Sequence, residues 1–179
     1  MPAVTDVGAP TAGGGESSGV RQLDDRFVAA WNARSVDEML ALMTDDVVYD
    51  DAGWPRQMHG HAEVRAFLES TWRAVPDLSF ERDGVVLIEP SGTNTASYWR
   101  GSGTQTGVWD PPGLKPTGRR FSFHGGTFLE SRDGKLCRVR VVYDVVSIMR
   151  QVGVLPEAGS PAERVVMIAA NFVNWLRGH

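Results

Sequence analysis

The sequence predicts an α+β domain in which helices cover one face of a strongly curved antiparallel sheet, with a further helix added at the C-terminal end. Three observations predict it. Apolar residues recur at helical spacing from Val20 to Trp72. From Leu78 to Tyr143 the chain turns strand-like, in β-rich runs separated by turn residues. Last, Ser160-Pro161-Ala162-Glu163 supplies an N-cap, a first-turn proline and a capping-box glutamate in order, just before another amphipathic segment.

Residues 1–19, rich in Gly, Ala, Pro, Ser and Thr, carry too few large apolar groups to order themselves and are expected to form a flexible tail before a single domain over 20–179. Val20, Leu23, Phe27, Ala30 and Trp31 mark the first helix. Ser35-Val36-Asp37-Glu38 is a capping box that opens a short second helix through Met39, Leu40, Leu42 and Met43. Val47-Val48-Tyr49 reads as a short strand running into Asp50-Asp51, and Gly53-Trp54-Pro55 breaks the chain. A third helix starts near Gly60-His61 with Val64, Phe67, Leu68, Thr71 and Trp72 as its buried stripe, and Pro76-Asp77 ends it. Strands are expected over 78–89, 93–104, 121–130 and 136–143. Pro90-Ser91-Gly92, a long loop over 105–118 and an Asp133-Gly134 hairpin connect them, which gives an antiparallel meander. The last helix presents Val165, Ile168, Ala169, Phe172 and Leu176 on one face. No internal repeat or second domain is visible.

At 179 residues the chain can bury a sizeable core, and a net charge of −4 argues against a nucleic-acid binder. No apolar run approaches membrane-spanning length, and the N-terminus lacks the pattern of a signal peptide, so the expected location is cytoplasmic. The single cysteine, Cys137, excludes an internal disulfide and a Cys-based zinc site, and its apolar strand makes it an inert core residue.

A bent sheet closed by helices is a cone, and its wide end leaves a cavity suited to small apolar ligands. Trp31, Trp72, Trp99 and Trp109 are candidate walls, although each taken singly fits an ordinary core or rim position. Nucleophile elbows, phosphate-binding glycine loops and the H-E-x-x-H zinc motif are absent. His59 and His61 have no partners at a metal-ligand spacing, so no metal site is assigned. Asp144, which closes the apolar run Val141-Val142-Tyr143, is the main candidate acid/base. At the mouth of an apolar cone it would be desolvated and its pKa raised; otherwise it simply caps the strand end. His124 is the second candidate, in phase with Ser122, Gly126 and Phe128; whether it shares a face with Asp144 depends on the hairpin register. Asp50 and Asp51 are either a second acid/base or turn residues. Arg138 and Arg140 share a strand face, polarising a carbonyl if it points inward and solvated if it points outward.

Gly103-Thr104-Gln105-Thr106-Gly107, Pro116-Thr117-Gly118-Arg119, Asp133-Gly134-Lys135, and Tyr143-Asp144 leading to Arg150-Gln151-Val152-Gly153 resemble the SnoaL-like family of polyketide cyclases, within the nuclear transport factor 2-like superfamily. His59-Gly60 before a helix and Val75-Pro76-Asp77-Leu78 fit the same pattern, so the resemblance spans about Val20 to Gly153. It implies a cone-shaped α+β barrel and a pocket enzyme without a cofactor. In such members the aspartate matching Asp144 serves as acid/base for an intramolecular aldol ring closure, with His124 beside it as the second catalytic candidate. Trp31, Tyr49, Asp50, Trp72, Trp99, Gln105, Trp109 and Arg140 are then the expected contacts to an apolar or aromatic substrate. Gln105 stands where many members have histidine, which points to a different substrate. The resemblance also implies a homodimer with the uncovered sheet face at its interface. Two alternatives share the fold: a non-catalytic binding module, which an exposed Asp144 would favour, and epoxide hydrolysis, which the absence of any Arg-x-Asp argues against.

Overall fold

The computed structural model describes residues 16–177. Helix α1 (Glu16–Ala33) begins four residues before the expected Val20, and residues 1–15 of the expected tail lie outside the described part. Its apolar stripe is the one read from the sequence: Val20, Leu23, Phe27, Ala30 and Trp31 are all buried. Ser35 caps α2 (Val36–Ala41), accepting a hydrogen bond from the Glu38 amide at 3.3 Å. Strand β1 (Met43–Asp51) is longer than expected, and a two-residue strand β2 (Met58–His59) pairs with it before α3 (Gly60–Ala74).

The four long strands follow the expected order: β3 (Ser79–Ile88), β4 (Asn94–Thr104), β5 (Arg120–Arg132) and β6 (Lys135–Tyr143), each antiparallel to the next. Asp133 and Gly134 both take positive φ, 54° and 74°, as a two-residue hairpin matched to strand twist requires. The sheet order is β2-β1-β6-β5-β4-β3, and β1 runs parallel to β6. The sheet is curved and not closed. Helices α1 and α3 fill its concave side, and the core of Phe27, Met39, Tyr49, Leu68, Leu129 and Val139 lies between the two layers. Small residues on that side let large ones in: a β-carbon at Gly125 would strike the Trp99 ring, and one at Gly101 would strike Phe123.

Two features depart from the sequence reading. A short helix, α4 (Val145–Gln151), follows β6 at once, where only a strand end was expected. Cys137 is half-buried on β6, not a core residue. Helix α5 (Pro161–Arg177) begins as expected, with Ser160 Oγ accepting from the Glu163 amide at 3.1 Å, yet none of its residues is buried. No described helix is long and apolar enough to cross a membrane.

Candidate active site

The concave face and its helices enclose a cavity containing about 750 Å³ of non-protein space, counting its open mouth. Its walls are aromatic and aliphatic: Trp31 from α1, Phe67 from α3, Phe80 and Trp99 from β3 and β4, Phe121 and Phe123 from β5. The rings meet edge to face, as quadrupoles prefer; Phe80 and Trp99 are 4.8 Å apart at 83°, and Trp31 and Phe80 5.3 Å apart at 69°. Indole polarity is satisfied at Trp99, whose Nε1 donates to Thr127 Oγ1 at 2.8 Å.

One carboxylate enters this apolar space. Val47, Tyr49 and Asp51 alternate along β1 and all face inward, so the strand's period of two carries Asp51 into the cavity wall with only 6 % of its surface exposed. Asp50, one residue earlier, faces the other way and pairs with Arg140 Nε at 3.4 Å. Tyr143, at the end of β6, donates its hydroxyl to Asp51 Oδ1 at 2.7 Å, and the Gly53 amide donates to the same oxygen at 2.9 Å. A side chain at Gly53 would collide with the Tyr143 hydroxyl, so glycine there keeps the pair in place. Among the described residues Oδ2 has no protein partner. Burial is the leading influence on this carboxyl and outweighs the two hydrogen bonds, pushing its pKa up to about 6. Burial, and after it the nearby Asp51 carboxylate, in turn hold the Tyr143 phenol well above its ordinary range. The result is an acid that titrates near neutral pH, one oxygen fixed and the other open to a ligand.

The expected site residues fall into three groups. Trp31, Trp99 and Trp109 line the cavity. Trp72 and Tyr49 are core residues behind it, Trp72 edge-on to Trp31 at 5.3 Å and Tyr49 against Phe67 at 5.4 Å. Asp144, His124, Asp50 and Arg140 lie off the cavity. Asp144 is exposed and is the N-cap of α4, its Oδ1 accepting from the Ser147 amide at 2.9 Å. It closes a strand only to start a helix, and the alternation argument ends at Tyr143. His124 is exposed on the convex face, stacked on Tyr98 with ring centroids 5.9 Å apart. Register decides this, because β5 presents Phe123, Gly125 and Thr127 inward and His124 outward.

Gln105 is fully buried beside the cavity, not on it. Its side-chain amide donates to the carbonyls of Gly107 (2.7 Å) and Lys115 (3.2 Å), while its oxygen accepts from the Thr117 amide and hydroxyl, each at 2.7 Å. It therefore fastens the two roots of the 105–118 loop, and the amides of Thr106 and Gly107 bind Ala74 O as a second anchor. Trp109 at the loop's tip bridges to Leu114 and stacks on Phe121 at 6.0 Å. The tip is tethered as well, Ser70 Oγ on α3 donating to Asp110 O at 2.6 Å. The described residues contain no His/Cys/Asp/Glu group arranged to hold a metal ion.

A family model described as SnoaL-like polyketide cyclase matches residues 21–152. The chain belongs to the SnoaL-like polyketide cyclase family. No curated protein matches it significantly in sequence. Solved structures extend the likeness. A provisionally assigned polyketide cyclase of Xanthomonas campestris pv. campestris is 25% identical over 77% of this chain and 99% of its own, with a TM-score of 0.69. TsrD of Streptomyces laurentii is also 25% identical, over 77% of this chain and 97% of its own, with a TM-score of 0.65. AclR of Streptomyces galilaeus, provisionally assigned as a hydroxylase, shares the fold at 23% identity and a TM-score of 0.67, covering 91% of this chain and 97% of its own. The SnoaL-like match stops at Val152, so α5 lies beyond it.

Sequence reasoning named Asp51 only as a second acid/base or a turn residue, behind Asp144, although the signal for its place in the cavity was present. Asp51 continues the inward phase of Val47 and Tyr49, and Tyr143 continues that of Val139 and Val141. What the sequence lacked was the parallel pairing of β1 with β6, which sets Asp51 opposite Val141 and within reach of Tyr143.

Proposed function

We propose that this SnoaL-like protein is a cofactor-free cyclase or related proton-transfer enzyme acting on an apolar, aromatic ketone, with Asp51 as the acid/base. The observation that carries the reading is the carboxyl of Asp51, raised to about 6 inside an aromatic cavity and left with one oxygen unpartnered. An ionised Oδ2 takes a proton from a carbon flanked by two carbonyls, and the electron pair left behind spreads onto the carbonyl oxygens. The resulting enolate attacks a carbonyl of the same molecule, forming a carbon–carbon bond. The new alkoxide then takes a proton back from the Asp51 carboxylic acid, which restores the carboxylate. Tyr143 holds the carboxylate's other oxygen and so fixes which lone pair meets the substrate. The walls exclude water and stack on flat rings, with Trp109 closing one side.

Membership of the family and likeness to solved cyclases support the reaction class; the assignment of the acid to Asp51, in place of Asp144, rests on geometry. Deuterium incorporation at the α carbon of an aromatic β-keto ester, followed by NMR, tests proton abstraction without requiring the natural substrate. Exchange that depends on Asp51 and not on Asp144 is the expected result. Exchange lost with Asp144→Ala and kept with Asp51→Asn would return the role to Asp144. The protein is further proposed to act as a homodimer with the convex sheet face at the interface. That face carries Leu87, Tyr98, Phe128 and Val142 in a band exposed by 42–64%.

A further inference from the structure

Helix α5 is amphipathic, and every one of its residues but Glu163 is exposed, so its apolar stripe is not packed on its own chain. Val165, Ile168, Phe172 and Leu176 recur at spacings of three and four, so they lie along one line of the helix. They are exposed by 65, 69, 58 and 55% respectively. Val166 and Val173, on the adjoining side, are open by 46 and 41%, and Met167, on the far side, by 53%. No side of the described helix is buried against its own domain.

The start of α5 is nevertheless fixed. Arg150 on α4 donates to Glu163 at 2.9 Å, and Glu163 also accepts from the Gly159 amide at 2.6 Å. The helix thus leaves the domain in a set direction with its stripe open.

The same chain carries a second uncovered apolar surface, the convex sheet band of Val85, Leu87, Tyr98, Phe128 and Val142. Three arginines around this band are paired within the sheet: Arg100 with Glu81, Arg138 with Glu130, Arg140 with Asp50. Covering it leaves these three without a lone charge. The stripe of α5 has no charge of its own, so the two surfaces suit each other.

We propose that α5 of one copy lies across the convex sheet face of a second copy, and reciprocally. The idea rests on the homodimer proposed above and names the element that makes it. A two-fold arrangement uses both surfaces of each chain once and leaves neither open. The area is sufficient. The four stripe residues and five sheet residues each keep roughly 100 Å² open to water, which comes to about 1,800 Å² for the pair. A stable interface of standard size buries about 1,600 Å².

Crosslinking between differently marked copies tests this in the full chain. In a Cys137→Ala background, Phe172→Cys and Phe128→Cys proteins are prepared separately, then mixed and treated with a short bismaleimide. A covalent dimer is expected from the mixture and not from either protein alone. In sedimentation, Ile168→Glu with Phe172→Glu should give monomers, as should Phe128→Glu alone. A dimer that survives the α5 variants but not Phe128→Glu would overturn the role of α5 and leave the sheet-mediated dimer standing. Self-crosslinking of Phe172→Cys would instead mean α5 pairs with α5, which also overturns the proposal. A parent protein that is monomeric at micromolar concentration would overturn both this proposal and the dimer.

Discussion

Replacing Asp51 by Asn should abolish proton transfer while making the folded protein more stable at neutral pH. The carboxyl is charged in the unfolded chain above 3.8, but burial keeps its folded-state value at about 6. The folded state therefore holds its proton longer. Stability from this group is complete below 3.8, falls as pH rises to about 6, and is flat beyond. At about 1.4 kcal/mol per pH unit the loss is about 3 kcal/mol, an order-of-magnitude cost that the parent carries at pH 7. Asparagine keeps an oxygen for the Tyr143 and Gly53 donors, removes the charge and places an amide where Oδ2 was. That amide, facing apolar walls, takes back about 1–2 kcal/mol. The net gain of about 1–2 kcal/mol corresponds to a melting midpoint roughly 2–8 °C higher for a domain of this size. General-base catalysis contributes about 10²–10⁴-fold, and turnover should fall by that factor. Calorimetry of both proteins at pH 4 and pH 7, beside the deuterium-exchange assay, reads both effects. The reasoning is refuted if the difference in midpoint is the same at the two pH values, or if exchange by the variant stays within a few-fold of the parent.

Other expectations concern the residues around this group. Tyr143→Phe deletes a hydrogen bond that lowers the Asp51 pKa, so the acid limb of the pH–rate profile should move to higher pH; an unmoved limb would separate Tyr143 from the acid. Asp144→Ala removes a helix cap and should cost about 1 kcal/mol in denaturant unfolding with turnover unchanged. Gln105→Ala leaves the buried carbonyls of Gly107 and Lys115 without their donor; limited proteolysis should then cut within 105–118, and Trp109 fluorescence should shift. Gly53→Ala should displace Tyr143 and reproduce the shifted pH profile of Tyr143→Phe.

Helix boundaries with caps were legible because capping is local chemistry. Ser35 and Ser160 each accept a bond from an amide three residues on, a distance the sequence itself displays. The same chemistry at Asp144 and Ser147 was hidden by the apolar strand before it, so α4 went unseen. Four tryptophans were equal candidates for the cavity wall in the sequence; packing places Trp31 and Trp99 on it, whereas Trp72, on the buried stripe of α3, stands one layer behind.

The sequence by itself determined the order and type of the main elements and the Asp133-Gly134 hairpin, since these depend on periods of two and 3.6 and on short-range turn geometry, while which strand face points inward was left to the register. Only the tertiary structure decided which carboxylate lines the cavity. That choice required β1 to dock in parallel beside β6, residues far apart in the chain, bringing Asp51 under the Tyr143 hydroxyl and taking water away from both. Desolvation depends on everything packed around a group, and no local pattern encodes it. For the same reason the apolar stripe of α5 could be read from its spacing, while its lack of packing on its own domain could not.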